Sequence, residues 1–143
     1  RSRGLGDVYK RQDIGSRLPI YCTSQGKVFL AHMSRTSAEA LLRAQHMTQF
    51  TPHTITDLTA LMQEIDLCRT DGYAIENGEY KIGLRSISAP VYTVEGKARY
   101  TVGVIGMFRS TRSDEFLAAV EQVCATASMI STALGYRKTE ELL

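Results

Sequence analysis

Gly72-Tyr73-Ala74-Ile75-Glu76-Asn77-Gly78-Glu79-Tyr80-Lys81-Ile82-Gly83-Leu84-Arg85-Ser86-Ile87-Ser88-Ala89-Pro90-Val91 is the stretch on which the fold turns, with Glu95-Gly96-Lys97 and Tyr100-Thr101-Val102-Gly103-Val104-Ile105-Gly106-Met107-Phe108 completing it. Two short apolar runs rich in β-branched residues, 86–92 and 100–108, flank a turn at Glu95-Gly96, which predicts a β-hairpin. Gly72-Tyr73 closes a helical pattern, and residues 76–79 read as an acidic turn before the first of these strands. Glycines at 72, 78, 83, 103 and 106 let the backbone bend or let another group approach closely. A concave sheet with an acidic turn at one rim is a plausible cup for a small molecule.

Upstream, residues 14–22 read as a short strand or its end. Thr23 then caps a helix to about Met33, with Val28, Leu30 and Ala31 inward. Thr36 and Glu39 have the spacing of a capping box, which predicts a second helix to about Gln45 packing Leu41 and Leu42. A loop holding Pro52 follows. Thr54 or Thr56 opens a helix whose Leu58, Leu61, Ile65 and Cys68 keep helical spacing, and Gly72 stops it. Downstream, Ser113 caps the clearest helix of the chain. Asp114 and Glu115 suit its positive end, Gly135 ends it, and its apolar stripe is Phe116, Val120, Val123, Ala127, Ile130 and Leu134.

The chain of 143 residues, 43% hydrophobic and 22% charged, is one globular domain in size and composition. No apolar run is expected to reach the length of a membrane span, and no signal peptide is read, so no membrane partner is expected. Three separated cysteines, Cys22, Cys68 and Cys124, favour buried thiols in a reducing cytoplasm over a disulfide frame. Residues 1–12 carry Arg1, Arg3, Lys10 and Arg11 against Asp7, so the overall charge of +2 is concentrated there. Without a hydrophobic period they read as a disordered or non-native leader, leaving residues 13–143 as the domain.

Catalysis would need Cys22 as nucleophile with His32, His46 or His53 as base, yet no nucleophile elbow surrounds that cysteine. No Cys-x-x-Cys or His-Glu-x-x-His spacing suggests a metal, and no cofactor is expected. Lys27 and Arg85 could bind an anion or stand solvated. The Thr23-Ser24-Gln25-Gly26 turn is more pointed, because a helix start offers unpaired N–H groups and partial positive charge to a carboxylate.

The order of these segments resembles the C-terminal effector-binding domain of the IclR family of bacterial transcription regulators. The resemblance covers about residues 17–135, and its pattern is a helix ending in Gly-Tyr, an acidic turn, a Gly-Leu-Arg step, an Ala-Pro strand, a Gly turn and a closing strand. Leu18-Pro19-Ile20-Tyr21-Cys22-Thr23-Ser24-Gln25-Gly26-Lys27 looks like a further family segment, with Tyr21 where histidine is usual. The resemblance implies an α+β fold, a curved antiparallel sheet with helices packed on it, of the GAF/PAS-like sensor type. It implies that effector contacts fall on Ser24, Gln25, Glu76, Ser86, Gly103 and Ile105, with Leu18 as a wall. Glu76 stands for the usual aspartate, Ser86 where cysteine can occur, and Gly103 and Ile105 replace common serines. The carboxylate is expected on the N–H groups of Ser24 to Gly26, and Gly103→Leu is expected to fill the cup without unfolding the domain.

The function so implied is ligand sensing for a regulator, not catalysis. A small carboxylate bearing hydroxyl or keto groups, such as a sugar acid, would modulate DNA binding by an N-terminal winged helix-turn-helix absent from this chain. A homodimer or homotetramer is expected, with DNA reached only through the absent domain. The alternative is a small hydrolase or isomerase acting on a similar ligand through Cys22 or Glu76.

Overall fold

The computed structural model describes residues 17–138, so the expected leader and residues 14–16 of the expected first strand lie outside the described residues. The helices are α1 (Ser24–Ala31), α2 (Arg35–Arg43), α3 (Leu58–Asp71) and α4 (Asp114–Ala133). Three strands, β1 (Ala74–Asn77), β2 (Arg85–Tyr92) and β3 (Ala98–Gly106), form an antiparallel sheet in the order β1-β2-β3. The expected α+β class holds, and so does the hairpin. Gly96, at φ 77°, turns β2 into β3, a left-handed conformation that glycine adopts without steric cost.

Strand alternation divides the chemistry. Register pairs Glu76 with Ser86, Ala74 with Ser88, Ser86 with Ile105 and Ser88 with Gly103, so these residues share one face. Ile75, Ile87, Ala89, Val91 and Val102 take the other face, where they pack with Phe116, Val123 and Ala127 of α4. The polar face receives α1, which packs with α2 and α3 in a second core of Val28, Leu30, Leu42, Leu61, Ile65 and Cys68. Helices therefore cover both sides of the sheet.

Two helix starts and one helix stop follow expectation. Thr23 accepts from the Gly26 N–H and Ser113 from the Phe116 N–H, while Gly72, at φ 82°, ends α3. Others differ. Ser34, not Thr36, caps α2 by accepting from the Ser37 N–H at 3.1 Å, and Glu39 instead pairs with Arg43 at 2.7 Å. Ala38 and Leu42 are that helix's buried residues, with Leu41 exposed. Asp57 opens α3, because the Thr54 hydroxyl is occupied by the N–H groups of Phe50 and Thr51. Residues 17–22 form no strand; they run as coil and bends into the Thr23 cap.

Contrary to expectation, one stretch reaches membrane-span length. α4 has 20 residues with mean hydropathy 1.3 over its most apolar window. Its inward stripe is docked on the sheet through Phe116, Val123 and Ala127, and Ser131 continues the contact by accepting from the Tyr92 N–H, while Ile130 and Leu134 of the expected stripe stay exposed.

Candidate functional site

Local sequence builds the site from two sides. On one, α1 starts at Ser24 with its first helical bond from the Lys27 N–H to the Thr23 carbonyl at 3.1 Å. The N–H groups of Ser24, Gln25 and Gly26 precede that bond and have no partner within the helix. Thr23 takes the last of them, so a carboxylate at this terminus has Ser24 and Gln25 to meet, one donor fewer than expected. On the other side, Ser86 and Ser88 stand two residues apart on β2 and aim at the same helix start.

The result is a buried chain of hydroxyls. Ser86 Oγ lies 2.9 Å from Ser24 Oγ, and Ser24 Oγ lies 2.7 Å from Ser88 Oγ. Ser24 is fully buried, with Ser88 and Ser86 nearly so. Beside them Glu76 accepts from the Glu79 N–H through Oε2 at 2.7 Å, and its Oε1 lies 3.3 Å from Ser86 Oγ. Glu76 is thus a β1 residue turned into the protein with 3% exposure, not part of a solvated turn. Burial pushes its carboxyl above the ordinary glutamate range, and the Glu79 carboxylate adds to that. The bond from the Glu79 N–H, the Lys27 charge and the Ser86 hydroxyl pull the other way. A folded value above the unfolded one means that the stability from this group is complete below the unfolded value and lost as pH rises through the folded value.

Lys27 is neither solvated nor free for an anion. It is 1% exposed, and its Nζ donates to Glu79 Oε2 at 2.9 Å and to the Ile75 carbonyl at 3.0 Å, with Glu79 Oε1 at 2.8 Å and Glu64 Oε2 at 3.6 Å. Arg85 is likewise engaged, donating from Nε to Asn77 Oδ1 at 2.7 Å and from Nη1 to the Phe108 carbonyl at 2.6 Å.

Of the seven residues singled out by resemblance, Ser24, Glu76 and Ser86 meet in this buried cluster. Gly103 and Ile105 share its sheet face but lie on the exposed strand β3, with Ile105 half exposed. Gln25 is exposed at the start of α1, and Leu18 is exposed in the coil before it. The expectation for Gly103→Leu changes. A Cβ on Gly103 would run into the Ile87 carbonyl and Ser88 Oγ, so a leucine there disturbs the pairing of β2 with β3 instead of only filling a cup. Ser88 and Glu79 were missed by sequence reasoning. Ser86-Ile87-Ser88 carried the signal for the first, since residues two apart on a strand face the same way.

The arrangement offers helix-terminal N–H groups, hydroxyls able to donate or accept, and a carboxyl group. These are the parts of a polar ligand site. Cys22 is poorly placed to act as a nucleophile, for it is fully buried and its thiol is pushed up to about 12, first by desolvation and then by Glu79 and Glu76.

Residues 3–132 match the family model for the bacterial transcriptional regulator IclR C-terminal domain, a match that begins upstream of the resemblance read from sequence. The transcriptional repressor AllR of Escherichia coli is 30% identical over 124 residues, 87% of this chain and 46% of the repressor. The chain therefore spans about half the length of the curated relatives it matches. A Rhodococcus transcriptional regulator superposes with a TM-score of 0.80 at 30% identity, covering 87% of this chain and 51% of that one. The inducer-binding domain of the PobR transcription factor from Acinetobacter, a double mutant in complex with 3-hydroxybenzoic acid, gives 0.72 at 25% identity, covering 82% and 67%.

Proposed function

We propose, for a chain that belongs to the IclR family of bacterial transcriptional regulators as its C-terminal domain, that it senses a small organic or sugar acid. Occupancy is relayed to a winged helix-turn-helix outside these residues. The observation that carries this reading is the buried chain of Ser24, Ser86 and Ser88 beside Glu76, set at a helix start. Such groups bury at a cost unless each finds a partner, and a ligand's oxygens can replace the partners they now give one another. The ligand carboxylate meets the Ser24 and Gln25 N–H groups, and its hydroxyl or keto oxygens meet the serines and Glu76. The relative crystallised with 3-hydroxybenzoic acid supports a carboxylate with a hydroxyl as the class.

The relatives are transcriptional regulators, and the chain is a regulator domain instead of an enzyme. The hydrolase or isomerase reading finds no support in a buried, protonated Cys22 thiol. The domain is proposed to work in the cytoplasm, to reach DNA only through the rest of the regulator, and to act by population shift between subunit arrangements.

Calorimetric titration tests the site. Ser24→Ala removes the central hydroxyl while keeping the helix, and is expected to weaken a hydroxy- or oxo-acid by roughly 2- to 10-fold, the equivalent of about 0.5–1.5 kcal/mol for a bond between neutral groups. Unchanged affinity in a folded variant sends the ligand elsewhere.

Self-association is proposed on the apolar surface that one domain leaves uncovered. On β3, Tyr100, Val104 and Ile105 are exposed, as are Leu117 and Met129 on α4. Sedimentation equilibrium at micromolar concentration is expected to return a dimer or tetramer. A clean monomer of 15.9 kDa would remove this part of the reading.

A further inference from the structure

The buried charges around the site do not balance once an acid enters. Glu76 and Glu79 are two carboxylates, 3% and 5% exposed, and Lys27 is the one buried cation beside them among the described residues. Lys27 spends its contacts on Glu79, the Ile75 carbonyl and the partly exposed Glu64. Glu76 has no cation in contact among the described residues. An ionised ligand carboxylate would add a further negative charge to a region of reduced dielectric, where like charges repel far more strongly than in water.

A proton on Glu76 would remove one of these charges, and the hydroxyl chain beside it can accept the resulting O–H. Ser86 Oγ lies 2.9 Å from Ser24 Oγ and 3.3 Å from Glu76 Oε1. When Glu76 Oε1 carries the proton, the donors run in one direction. Oε1–H donates to Ser86, Ser86 donates to Ser24, and Ser24 donates to Ser88, while Oε2 keeps the Glu79 N–H.

We propose that the site takes a small monocarboxylate together with one proton, Glu76 serving as a neutral carboxylic acid that donates a hydrogen bond from Oε1. The proposal rests on the effector-site reading above and deepens it. The proton comes from solvent and ends on Oε1, so the occupied site gains no net charge from ligand and proton combined. Its consequence is selection. Acids of one negative charge are accepted, and a second carboxylate is refused unless it too is neutralised. The groups that face Glu76 are Glu79 from the turn after β1, Lys27 from α1 and Cys22 from the segment before α1, with Glu64 of α3 reaching Lys27 from the far side. The Cys22 thiol, held up to about 12, stays neutral throughout.

Calorimetry with 3-hydroxybenzoate, gluconate and 2-oxobutyrate from about pH 5.5 to 9.5, in buffers of different ionisation enthalpy, gives affinity and proton uptake together. For the acid that binds, wild-type affinity is expected to fall with rising pH, at most about tenfold per unit for one linked proton. Proton uptake should approach one at the alkaline end. Glu76→Gln, which is neutral at every pH, is expected to bind with pH-independent affinity and no uptake. Binding by the wild type with flat affinity and no uptake across the range overturns the proton and leaves the effector site standing. A pH dependence that persists unchanged in Glu76→Gln assigns the proton to another group and overturns the proposal. No heat from any of the three acids, in either protein, removes the effector-site reading and this proposal with it.

Discussion

Lys27→Met is expected to destabilise the domain by about 3–5 kcal/mol, the usual cost of breaking a buried ion pair by removing one partner. The ammonium is almost wholly enclosed and joins α1 to the turn after β1, holding both oxygens of Glu79 within 3 Å. Methionine fills the space of the stem but leaves Glu79 as a buried carboxylate with only the Asn77 N–H to hold it, together with an unpaired Ile75 carbonyl. Partial relief by Glu64 is small, because its contact is longer and its side chain is 42% exposed. Urea unfolding followed by circular dichroism reads the effect. The double variant Lys27→Met/Glu79→Gln should recover part of the loss, since the uncompensated charge is gone. A single-variant cost below about 1 kcal/mol would mean that the pair is solvated in solution, and the account of this joint would fall.

Gly26→Ala is the second large effect, on the order of 3 kcal/mol, at the upper end of the range for overpacking. A methyl group here would collide with the carbonyl oxygen, Cα and carbonyl carbon of Ile20. These are backbone atoms and no rotamer change moves them aside. The segment before α1 must shift, and with it go Tyr21 and Cys22 of the core and the Thr23 cap, whose hydroxyl also donates to the Pro19 carbonyl at 2.6 Å. Both stability and ligand affinity are expected to drop together, read by thermal unfolding and by calorimetry on one preparation. Full stability with full affinity would show that residues 17–23 adapt at no cost, contrary to the close packing described.

Local signals were legible where the chain satisfies itself locally. The Gly96 turn, the Ser113 and Thr23 caps and the Gly72 stop each involve partners within four residues, and each was readable from sequence. Where several hydroxyls compete, the pattern misled. Ser34, Thr36 and Ser37 all lie near the start of α2, and the Glu39 that favoured Thr36 is committed to Arg43 instead. Thr54 was drawn away by a tertiary task, holding the loop at 50–51. Leu18-Pro19-Ile20-Tyr21-Cys22 has the apolar look of a strand, but Pro19 lacks a donor and its carbonyl serves the Thr23 hydroxyl. For the site, the resemblance named Ser24, Glu76 and Ser86. Composition alone leaves a glutamate between helix and strand in solvent, because its burial depends on elements that arrive from elsewhere in the chain. Lys27 was misjudged for the same reason: its partner Glu79 lies 52 residues away.

Those separations bear on how the domain comes apart. Ser24 and Ser88 are 64 residues apart, and the cluster they form lies where the α1–α2–α3 core meets the strands that carry α4 on their other face. The β2–β3 hairpin is held by near neighbours in sequence, whereas this joint closes a long loop of chain before it gains anything. Such a joint is the natural seam between two cooperative units, and amide hydrogen exchange should find it opening at lower free energy than either core. An effector bound across it would act as a stitch, merging two partially independent foldons into one that unfolds in a single step.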